Sequence, residues 1–321
     1  MNLSGARCAA FLSHRKGITM RLSDYFVSRY VPERLLEKSP RTSHEYEISI
    51  NRLSAALGRS AEVSDLTTGN LYRFRAAERE GRSPETVNKH LRQLLAVANH
   101  AHKRNELNEI PSVEKLKTAK RAPVAWTPDE MREILAAAAS RQGRIKALRA
   151  WDFWPALILT LYDTGARISA VMACQWDWLS GPILTIPAEV QKQNADQRYT
   201  LRGQTLEAIA KLRTWQKHED GKYRRTGLTG PLFAWPYDPS GSPWKVLNRH
   251  YREILDAAGL PTEARDLFHK IRRTTATRIA DSRGRVAAQS YLGHSSAKVT
   301  ARYIDATQVR AEDAARDLPD I

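Results

Sequence analysis

Apolar side chains recur at helical spacing through most of the first third of the chain. One stripe consists of Tyr46, Ile50, Leu53 and Leu57, at steps of three and four residues. This spacing predicts an amphipathic helix, and Gly58 directly after the stripe is a typical helix end. Similar spacing runs from about Leu22 to Leu116, so we expect a helical domain over this part of the chain.

A second helix is predicted to begin at Ser83, because a serine followed by a proline is typical of a helix N-terminus. Its apolar stripe is formed by Val87, Leu91, Leu94, Leu95 and Ala98. Basic side chains lie mostly off this stripe, namely Lys89, Arg92, His100, Lys103 and Arg104. Such a face is either solvated or turned towards phosphates, and the pattern alone fits both.

The polar and basic stretch 117–126, interrupted by Pro123, predicts a linker. Directly after it, Thr127 and Glu130 have the spacing of a capping box and restart a helix. The predicted division is an N-terminal extension (1–20), a helical domain (21–116), the linker (117–126), a second domain (127–305) and a C-terminal tail (306–321). Met20 is an alternative to Met1 as the start of the protein.

The second domain combines helical patterns with a short stretch of strands. The apolar run from Trp154 to Tyr162 predicts a long buried helix, followed by a turn at Gly165. The segments 183–186 and 198–201 are β-like, with turn residues at 194–196 between them. Helical patterns then resume, apart from a loop-rich interval around 220–242. The chain is therefore predicted to be mainly α, with a small antiparallel β-sheet in a mixed α+β second domain.

Composition adds a strong positive charge to this picture. The 321 residues include 51 Lys and Arg against 35 Asp and Glu, which gives a formal net charge of +16. The excess favours a polyanionic partner, since each cation that neutralises a phosphate releases condensed counterions. Charge alone also fits a basic protein without such a partner. The basic residues are spread along the chain, which suits a groove-lining surface better than a disordered arm.

Cysteines and apolar runs bear on the compartment. The two cysteines, Cys8 and Cys174, form neither a disulfide framework nor a zinc ligand set, so a reducing compartment is expected. The longest apolar stretch, Trp154 to Tyr162, is far below the roughly 20 residues that a membrane span needs. We expect a cytoplasmic protein that associates with the nucleoid and not with a membrane.

Six residues form the candidate reaction site: Arg167, Lys192, His269, Arg272, His294 and Tyr303. Arginine offers a fixed fork of donors to phosphoryl oxygens, histidine moves protons near neutral pH, and a phenol can attack phosphorus. Each residue alone has an ordinary explanation, such as a salt bridge, a solvated lysine or a half-buried aromatic ring. Their occurrence together, in this order, indicates a site that cuts and rejoins a phosphodiester.

These motifs resemble those of the tyrosine recombinase (phage integrase) family over roughly residues 127–305. The segment Thr164 to Ser169 is similar to the family's first arginine box, and His269-Lys-Ile-Arg272-Arg-Thr to its second. Tyr291-Leu-Gly-His294, with Tyr303 nine residues after the histidine, is similar to the nucleophile segment. Gly293 is expected to begin a helix sharply and so to expose the imidazole of His294. The sequence departs from the family pattern at Ala170, Trp178 and Arg273.

The resemblance implies the role of each candidate residue. Tyr303 would attack DNA and form a 3′-phosphotyrosyl link, while Arg167 and Arg272 neutralise the phosphoryl oxygens. Lys192 would protonate the 5′ leaving oxygen. His269 would help move the proton of the tyrosine, and His294 would donate to the same phosphate. Neither a metal nor another cofactor is needed, because the covalent intermediate keeps the bond energy.

The resemblance also implies partners and assembly. The helical domain would be a core-binding domain that closes on double-stranded DNA together with the catalytic domain. Four copies would assemble on paired sites. The tail begins at Thr307 and has Val309, Ala314 and Leu318 at helical spacing. It would dock either on a neighbouring copy or on the protomer to which it belongs.

Two other functions fit the same composition. One is a DNA-binding or architectural protein that no longer cuts, and the other is a relaxing enzyme of the topoisomerase IB type. The first requires the loss of a catalytic group, whereas all six are present in this chain. The second uses the same chemistry without strand exchange. Recombination is therefore the preferred hypothesis.

Overall fold

The computed structural model describes residues 20–119, 122–145, 148–213, 215–217, 223–225, 230–235, 243–263 and 267–309. The chain divides into two compact units, Met1–Lys120 and Arg121–Ile321. The N-terminal extension, apart from Met20, and the tail positions Ala314 and Leu318 lie outside the described residues.

The first unit is built from helices. They are α1 (Leu22–Tyr25), a π-helical segment (Phe26–Leu35), α2 (Pro40–Leu57), a short 3-10 turn (Val63–Asp65), α3 (Thr68–Arg79) and α4 (Pro84–Lys103). Their buried core includes Leu22, Phe26, Leu53, Phe74 and Leu94. The prediction that this part of the chain is helical is confirmed.

Helices α2 and α4 form as their patterns predict. Gly58 follows α2 in a left-handed conformation, with φ of 70°, where glycine meets no Cβ penalty. Ser83 caps α4 by accepting from the Thr86 amide at 3.4 Å. His100, however, does not belong to the basic face: it is buried, Tyr25 Oη and Glu33 hydrogen-bond to its ring, and it therefore serves the core.

The second unit combines helices with short antiparallel strands. Its helices are α5 (Pro128–Ala139), α6 (Ala150–Thr164), α7 (Ile168–Met172), α8 (Gly203–Lys211), α9 (Pro243–Ala257), α10 (Leu267–Tyr291) and α11 (Ala297–Thr300). Its strands are β1 (Arg144–Ile145), β2 (Leu148–Arg149), β3 (Leu179–Ser180), β4 (Ile183–Ile186), β5 (Gln197–Thr200), β6 (Trp215–Lys217) and β7 (Tyr223–Arg225).

The largest of the described sheets has the order β3-β4-β5 and is antiparallel throughout. In its register Ile183 faces Thr200 and Ile186 faces Gln197, so the loop from Pro187 to Asp196 leaves the sheet at one end. This arrangement confirms the predicted strands. The pairs β1-β2 and β6-β7 were not expected from the sequence, and β7 lies within the interval predicted to be loop.

Helix α6 runs through the middle of the core of the second unit. Most of its side chains are buried, including Trp154, Leu157 and Leu161, and Cys174 joins the same cluster. Helix α5 begins with the predicted capping box: Glu130 accepts from the Thr127 amide at 2.7 Å, and Thr127 accepts from the Glu130 amide at 3.1 Å. Helix α10 is broken at Gly284, where φ is 82° and ψ is 166°.

The end of the predicted linker is part of the folded second unit. Ala125 and Trp126, at the end of the predicted linker, are buried in the second unit. Together the elements confirm the mainly α class with a small antiparallel sheet. In the part of the chain that the structure describes, no helix has the length and apolar character required to cross a bilayer.

Candidate active site

Arg272 is the centre of the candidate site. Its side chain is buried on α10, with 2% of the residue exposed. The guanidinium donates to the carbonyl oxygens of Gly165 and Leu292 and, at 2.8 Å, to His294 Nε2. Burial lowers the pKa of Arg272 to about 10, and repulsion from Arg167 adds to this shift. The group is still a cation at neutral pH, and three hydrogen-bond partners hold it in place.

Gly165 allows the first of these contacts. It ends α6 in a left-handed conformation, with φ of 57°. A Cβ at this position would lie 2.8 Å from Leu292 Cδ2 and 3.1 Å from Thr275 Cγ2. Glycine is therefore required both by the backbone conformation and by the close packing. The Gly165 carbonyl can reach Arg272 because the turn lies directly against α10.

Arg167 follows this turn at the N-cap of α7. Its side chain is partly buried, and its Nη1 donates to the amide oxygen of Gln193. Its charge lowers the pKa of Arg272, so the two guanidinium groups lie close enough to repel each other. Such a pair is an unfavourable neighbour for a third cation and a favourable one for an oxyanion.

His294 is buried, with 7% of the residue exposed. This corrects the expectation that Gly293 begins a helix and exposes the imidazole. Gly293 lies after α10 with φ of 64°, and the ring turns inward because Arg272 donates to its Nε2. Because Nε2 accepts from Arg272, the proton of the neutral ring is on Nδ1, which lies 3.1 Å from Thr300 Oγ1. Burial, together with the charges of Arg272 and Arg167, lowers the pKa of His294 to about 4.

Tyr303 comes just after α11 and lies against the two residues described above. Its ring centroid is 4.9 Å from that of His294, and Arg272 Cζ is 5.2 Å from the ring centroid. The side chain is half-buried. The residues that follow fix the turn, since Ile304 is buried and the Asp305 amide donates to Thr277 Oγ1 at 2.9 Å. The phenol thus lies beside a buried guanidinium.

Of the remaining two candidates, one lies on the helix of Arg272 and the other in the β4–β5 loop. His269 is partly buried on α10, one turn before Arg272, so the two residues share a face of the helix. Lys192 is exposed in the loop between β4 and β5. The next residue, Gln193, contacts Arg167 and thereby brings the loop to the site. The structure thus brings Arg167, Arg272, His294 and Tyr303 into one cluster.

Two side chains that the sequence did not single out contact the cluster. Gln193 bonds to Arg167, and Thr300 bonds to His294. Gln193 adjoins Lys192 in the sequence, which is the one signal that marked its position. Among the described residues, no group of three or more His, Cys, Asp or Glu side chains has a geometry that could hold a metal ion.

The geometry suits chemistry at an oxyanion. Two guanidinium groups supply fixed positive charge and several N–H donors, and the half-buried phenol lies within the same cluster. Preorganised donors of this kind stabilise charge that develops in a transition state without further reorganisation. A phosphoryl group in contact with both arginines would lie next to the phenol.

The second unit matches the model of a known protein family. The model of the family described as "Phage integrase family" matches residues 125–310. This segment holds all six candidate residues. No significant match is found among curated protein sequences.

Solved structures share the fold over nearly the whole chain. A Tn1549 transposon integrase in complex with a circular intermediate DNA is 18% identical, with a TM-score of 0.68, over 92% of this chain and 100% of the other. A lambda integrase dimer bound to a COC' core site is 18% identical, with a TM-score of 0.63, over 94% and 99%. A lambda integrase tetramer bound to a Holliday junction is 18% identical, with a TM-score of 0.64, over 96% and 81%.

Proposed function

Because this chain belongs to the phage integrase family, we propose that it is a site-specific recombinase that cuts and rejoins DNA through a 3′-phosphotyrosyl intermediate. The observation that carries the proposal is the contact set of Arg272, which donates to His294 and lies 5.2 Å from the ring of Tyr303. A buried cation beside a phenol can stabilise the negative charge that develops when the phenol attacks a phosphodiester. The net charge of +16 favours DNA as the substrate.

The proposed reaction begins with attack of Tyr303 Oη on the phosphorus. A bond forms between the phenol oxygen and phosphorus, and the bond from phosphorus to the 5′ oxygen breaks. Arg167 and Arg272 neutralise the charge that develops on the non-bridging oxygens. Lys192 gives a proton to the leaving 5′ oxygen, and His269 helps to remove the proton of the phenol.

The role of His294 depends on its protonation. In the free protein its Nε2 accepts from Arg272, so this nitrogen presents a lone pair to the site. Donation from Nε2 to a phosphate requires a proton on that atom. The negative charge of bound DNA favours protonation, because an adjacent anion raises the pKa of a histidine. We propose that His294 joins the donors of the phosphate only in the complex.

Double-stranded DNA and further copies of this chain are the proposed partners. The solved integrases with the same fold are bound to DNA, and one of them is a tetramer on a Holliday junction. We propose the same kind of assembly here, with four protomers on two paired sites. The helical first unit would contribute to DNA binding as a core-binding domain.

The test of this function is the covalent adduct. Wild-type protein, Tyr303→Phe and Tyr291→Phe are incubated with end-labelled DNA, and adducts are resolved on a denaturing gel. Tyr291 is the matched control, because its phenol donates to the Asp163 carbonyl outside the arginine cluster. We expect adducts with the wild type and with Tyr291→Phe, and DNA binding without an adduct for Tyr303→Phe. An adduct that persists in Tyr303→Phe rejects the assigned nucleophile.

A supercoiled plasmid separates recombination from the alternatives. The plasmid is incubated with the protein in the presence and in the absence of a second site. Recombinant products that require the second site support the proposed function. Relaxation without recombinants would indicate a topoisomerase-like enzyme, and binding with neither product would indicate an architectural protein.

A further inference from the structure

The side chain of Gln193 connects three parts of the candidate site. Its amide oxygen accepts from Nη1 of Arg167, and its Nε2 donates to the Leu292 carbonyl at 3.0 Å. The same carbonyl accepts from Nη2 of Arg272 at 3.2 Å. The amide orientation is fixed by its partners, since a guanidinium can only donate and a carbonyl can only accept. Gln193 thus joins the β4–β5 loop directly to Arg167 and, through the shared Leu292 carbonyl, to Arg272.

The loop around Gln193 is held in shape by its own residues. Gln191 is buried, and its Nε2 donates to the carbonyls of Ile186 at 3.0 Å and Ala195 at 3.2 Å. Gln197 lies so close to Gly293 that a Cβ there would come within 2.2 Å of its Nε2. Lys192 is exposed between these anchored positions. The direction in which it can reach therefore depends on its neighbour Gln193, which bonds the loop to the Leu292 carbonyl.

The contact of Gln193 with Arg167 is one that a phosphate can replace. A phosphate oxygen carries negative charge and forms a stronger hydrogen bond with a guanidinium than a neutral amide oxygen does. A phosphate cannot replace Gln193 at the Leu292 carbonyl, because a phosphate has no N–H or O–H group to donate there. Binding of DNA would release one end of the Gln193 side chain and leave the other end in place.

We propose that Gln193 is a positioning residue that couples phosphate binding at Arg167 to the placement of Lys192. In the free protein the amide oxygen holds Arg167 in place. When a phosphodiester takes over Arg167, the remaining bond to the Leu292 carbonyl keeps the loop, and with it Lys192, beside the leaving 5′ oxygen. This inference rests on the proposed function, since it concerns proton delivery in the cleavage step.

The test uses two DNA duplexes that differ in one atom. One carries the ordinary 5′ oxygen at the scissile bond, and the other has sulfur in that position. A thiolate leaves without a proton, so cleavage of the second duplex does not depend on Lys192. The duplex sequence is recovered from DNA trapped on the wild-type protein. Single-turnover adduct formation and DNA affinity are measured for the full chain and for Gln193→Ala, Gln193→Glu and Gln197→Ala.

Gln193→Ala should leave DNA affinity unchanged or raised, because Arg167 no longer has to exchange partners. Cleavage of the oxygen duplex should slow by about tenfold, since a misplaced general acid loses part of a contribution of roughly 10²–10⁴. Cleavage of the sulfur duplex should stay at the wild-type rate. Gln193→Glu should weaken DNA binding and slow cleavage of both duplexes, because a carboxylate competes with the phosphate for Arg167.

Gln197→Ala is the control for simple docking of the loop, since Gln197 adjoins Gly293 while its amide oxygen accepts from Tyr199 at 2.6 Å. Its two cleavage rates should stay within about twofold of the wild type, well inside the contribution of a general acid. A specific role for Gln193 would be overturned if Gln197→Ala slowed cleavage of the oxygen duplex as much as Gln193→Ala does and cleaved the sulfur duplex at the wild-type rate. A loss in Gln193→Ala that sulfur does not rescue, or no loss at all, would overturn it as well. If the wild-type protein forms no adduct with either duplex, the proposed function itself fails, and the inference fails with it.

Discussion

Arg272 donates to His294 through Nη2 and Nε2, which are 2.8 Å apart in a buried part of the second unit. The contact requires that the imidazole nitrogen be unprotonated, because a guanidinium has no acceptor. It also gives the arginine a neutral partner in place of a carboxylate. The positive charge of Arg272 is therefore held in position without being neutralised. This is the condition under which it can act on an anionic substrate.

The stability of the second unit should depend on pH through His294, whose pKa is lowered to about 4 in the folded protein. Below the unfolded value of about 6.5 the unfolded chain takes up a proton that the folded chain resists. Stability should therefore fall as the pH decreases from about 6.5 to about 4, by roughly 2–3 kcal/mol from this group. Urea unfolding followed by tryptophan fluorescence measures it, since all 8 tryptophans lie in the second unit.

His294→Gln should flatten this part of the pH profile. Tyr291→Phe is the control, because it changes a side chain of the same unit without removing a histidine. The steepness of its profile should match that of the wild type. A wild-type profile no steeper than that of His294→Gln between pH 6.5 and pH 4 would contradict the assigned cause.

Gly165→Ala should destabilise the second unit by about 3 kcal/mol, from a left-handed alanine together with overpacking. The new Cβ would lie 2.8 Å from Leu292 Cδ2, and relief of the contact would move the carbonyl that Arg272 uses. Gly181→Ala is matched, with φ of 55° and nothing within 4 Å of its Cβ. It should lose only about 1–2 kcal/mol. Equal losses in urea unfolding would show that packing at Gly165 has no effect.

Asp163 should be a strong determinant of stability. Its buried carboxylate accepts from the Arg202 amide at 2.9 Å, from Arg202 Nε at 2.6 Å and from Thr205 Oγ1 at 2.6 Å. Asp163→Ala leaves these donors without an acceptor and should cost about 3 kcal/mol. Asp163→Asn keeps one acceptor oxygen and should lose less. Chemical denaturation of both variants tests this, and a loss below about 1 kcal/mol for alanine would refute it.

Asp305 should control the rate of cleavage through the position of Tyr303. Its carboxylate accepts from the Ala125 amide at 3.0 Å and from Thr307 Oγ1 at 2.6 Å. These bonds fix the chain two residues after the tyrosine. Asp305→Ala should slow single-turnover adduct formation by about tenfold, since small displacements of a reacting group are costly. DNA affinity should not change, and Asp305→Asn should recover most of the rate. An unaltered rate in Asp305→Ala would mean that the tyrosine is positioned by other contacts.

Much of the fold follows from periodicity and capping. The apolar stripe of α4 and the capping box at Thr127 are local signals, and both elements form where these signals lie. The strands β1, β2, β6 and β7 are two or three residues long, which is too short for an alternating pattern to stand out. The burial of His100 was missed for another reason. Its partners Tyr25 and Glu33 lie more than 60 residues away, with sequence separations of 75 and 67.

Some residues of the candidate site could be predicted from the sequence, and others could not. Residues that carry distinctive chemistry, such as Arg272 and Tyr303, could be chosen from motif and spacing. The inward turn of His294 could not, because it depends on a donor 22 residues away. Gln193 has no distinctive chemistry, and its importance follows from partners 26 and 99 residues distant. Long-range hydrogen bonds of this kind leave no pattern in the local sequence.

The assignment of Tyr303 as the nucleophile is tested by identifying the residue of the protein that becomes linked to DNA. Trapped complexes are digested with trypsin and nuclease, and the modified peptide is sequenced by mass spectrometry. If Tyr303 is the nucleophile, a nucleotide is found on the tryptic peptide 303–310, in which Tyr303 is the sole tyrosine. The nucleotide should be attached through its 3′ phosphate, and the other DNA end should carry a free 5′-hydroxyl. A nucleotide on any other residue, or a 5′-phosphate linkage, would show that Tyr303 does not form a 3′-phosphotyrosyl link.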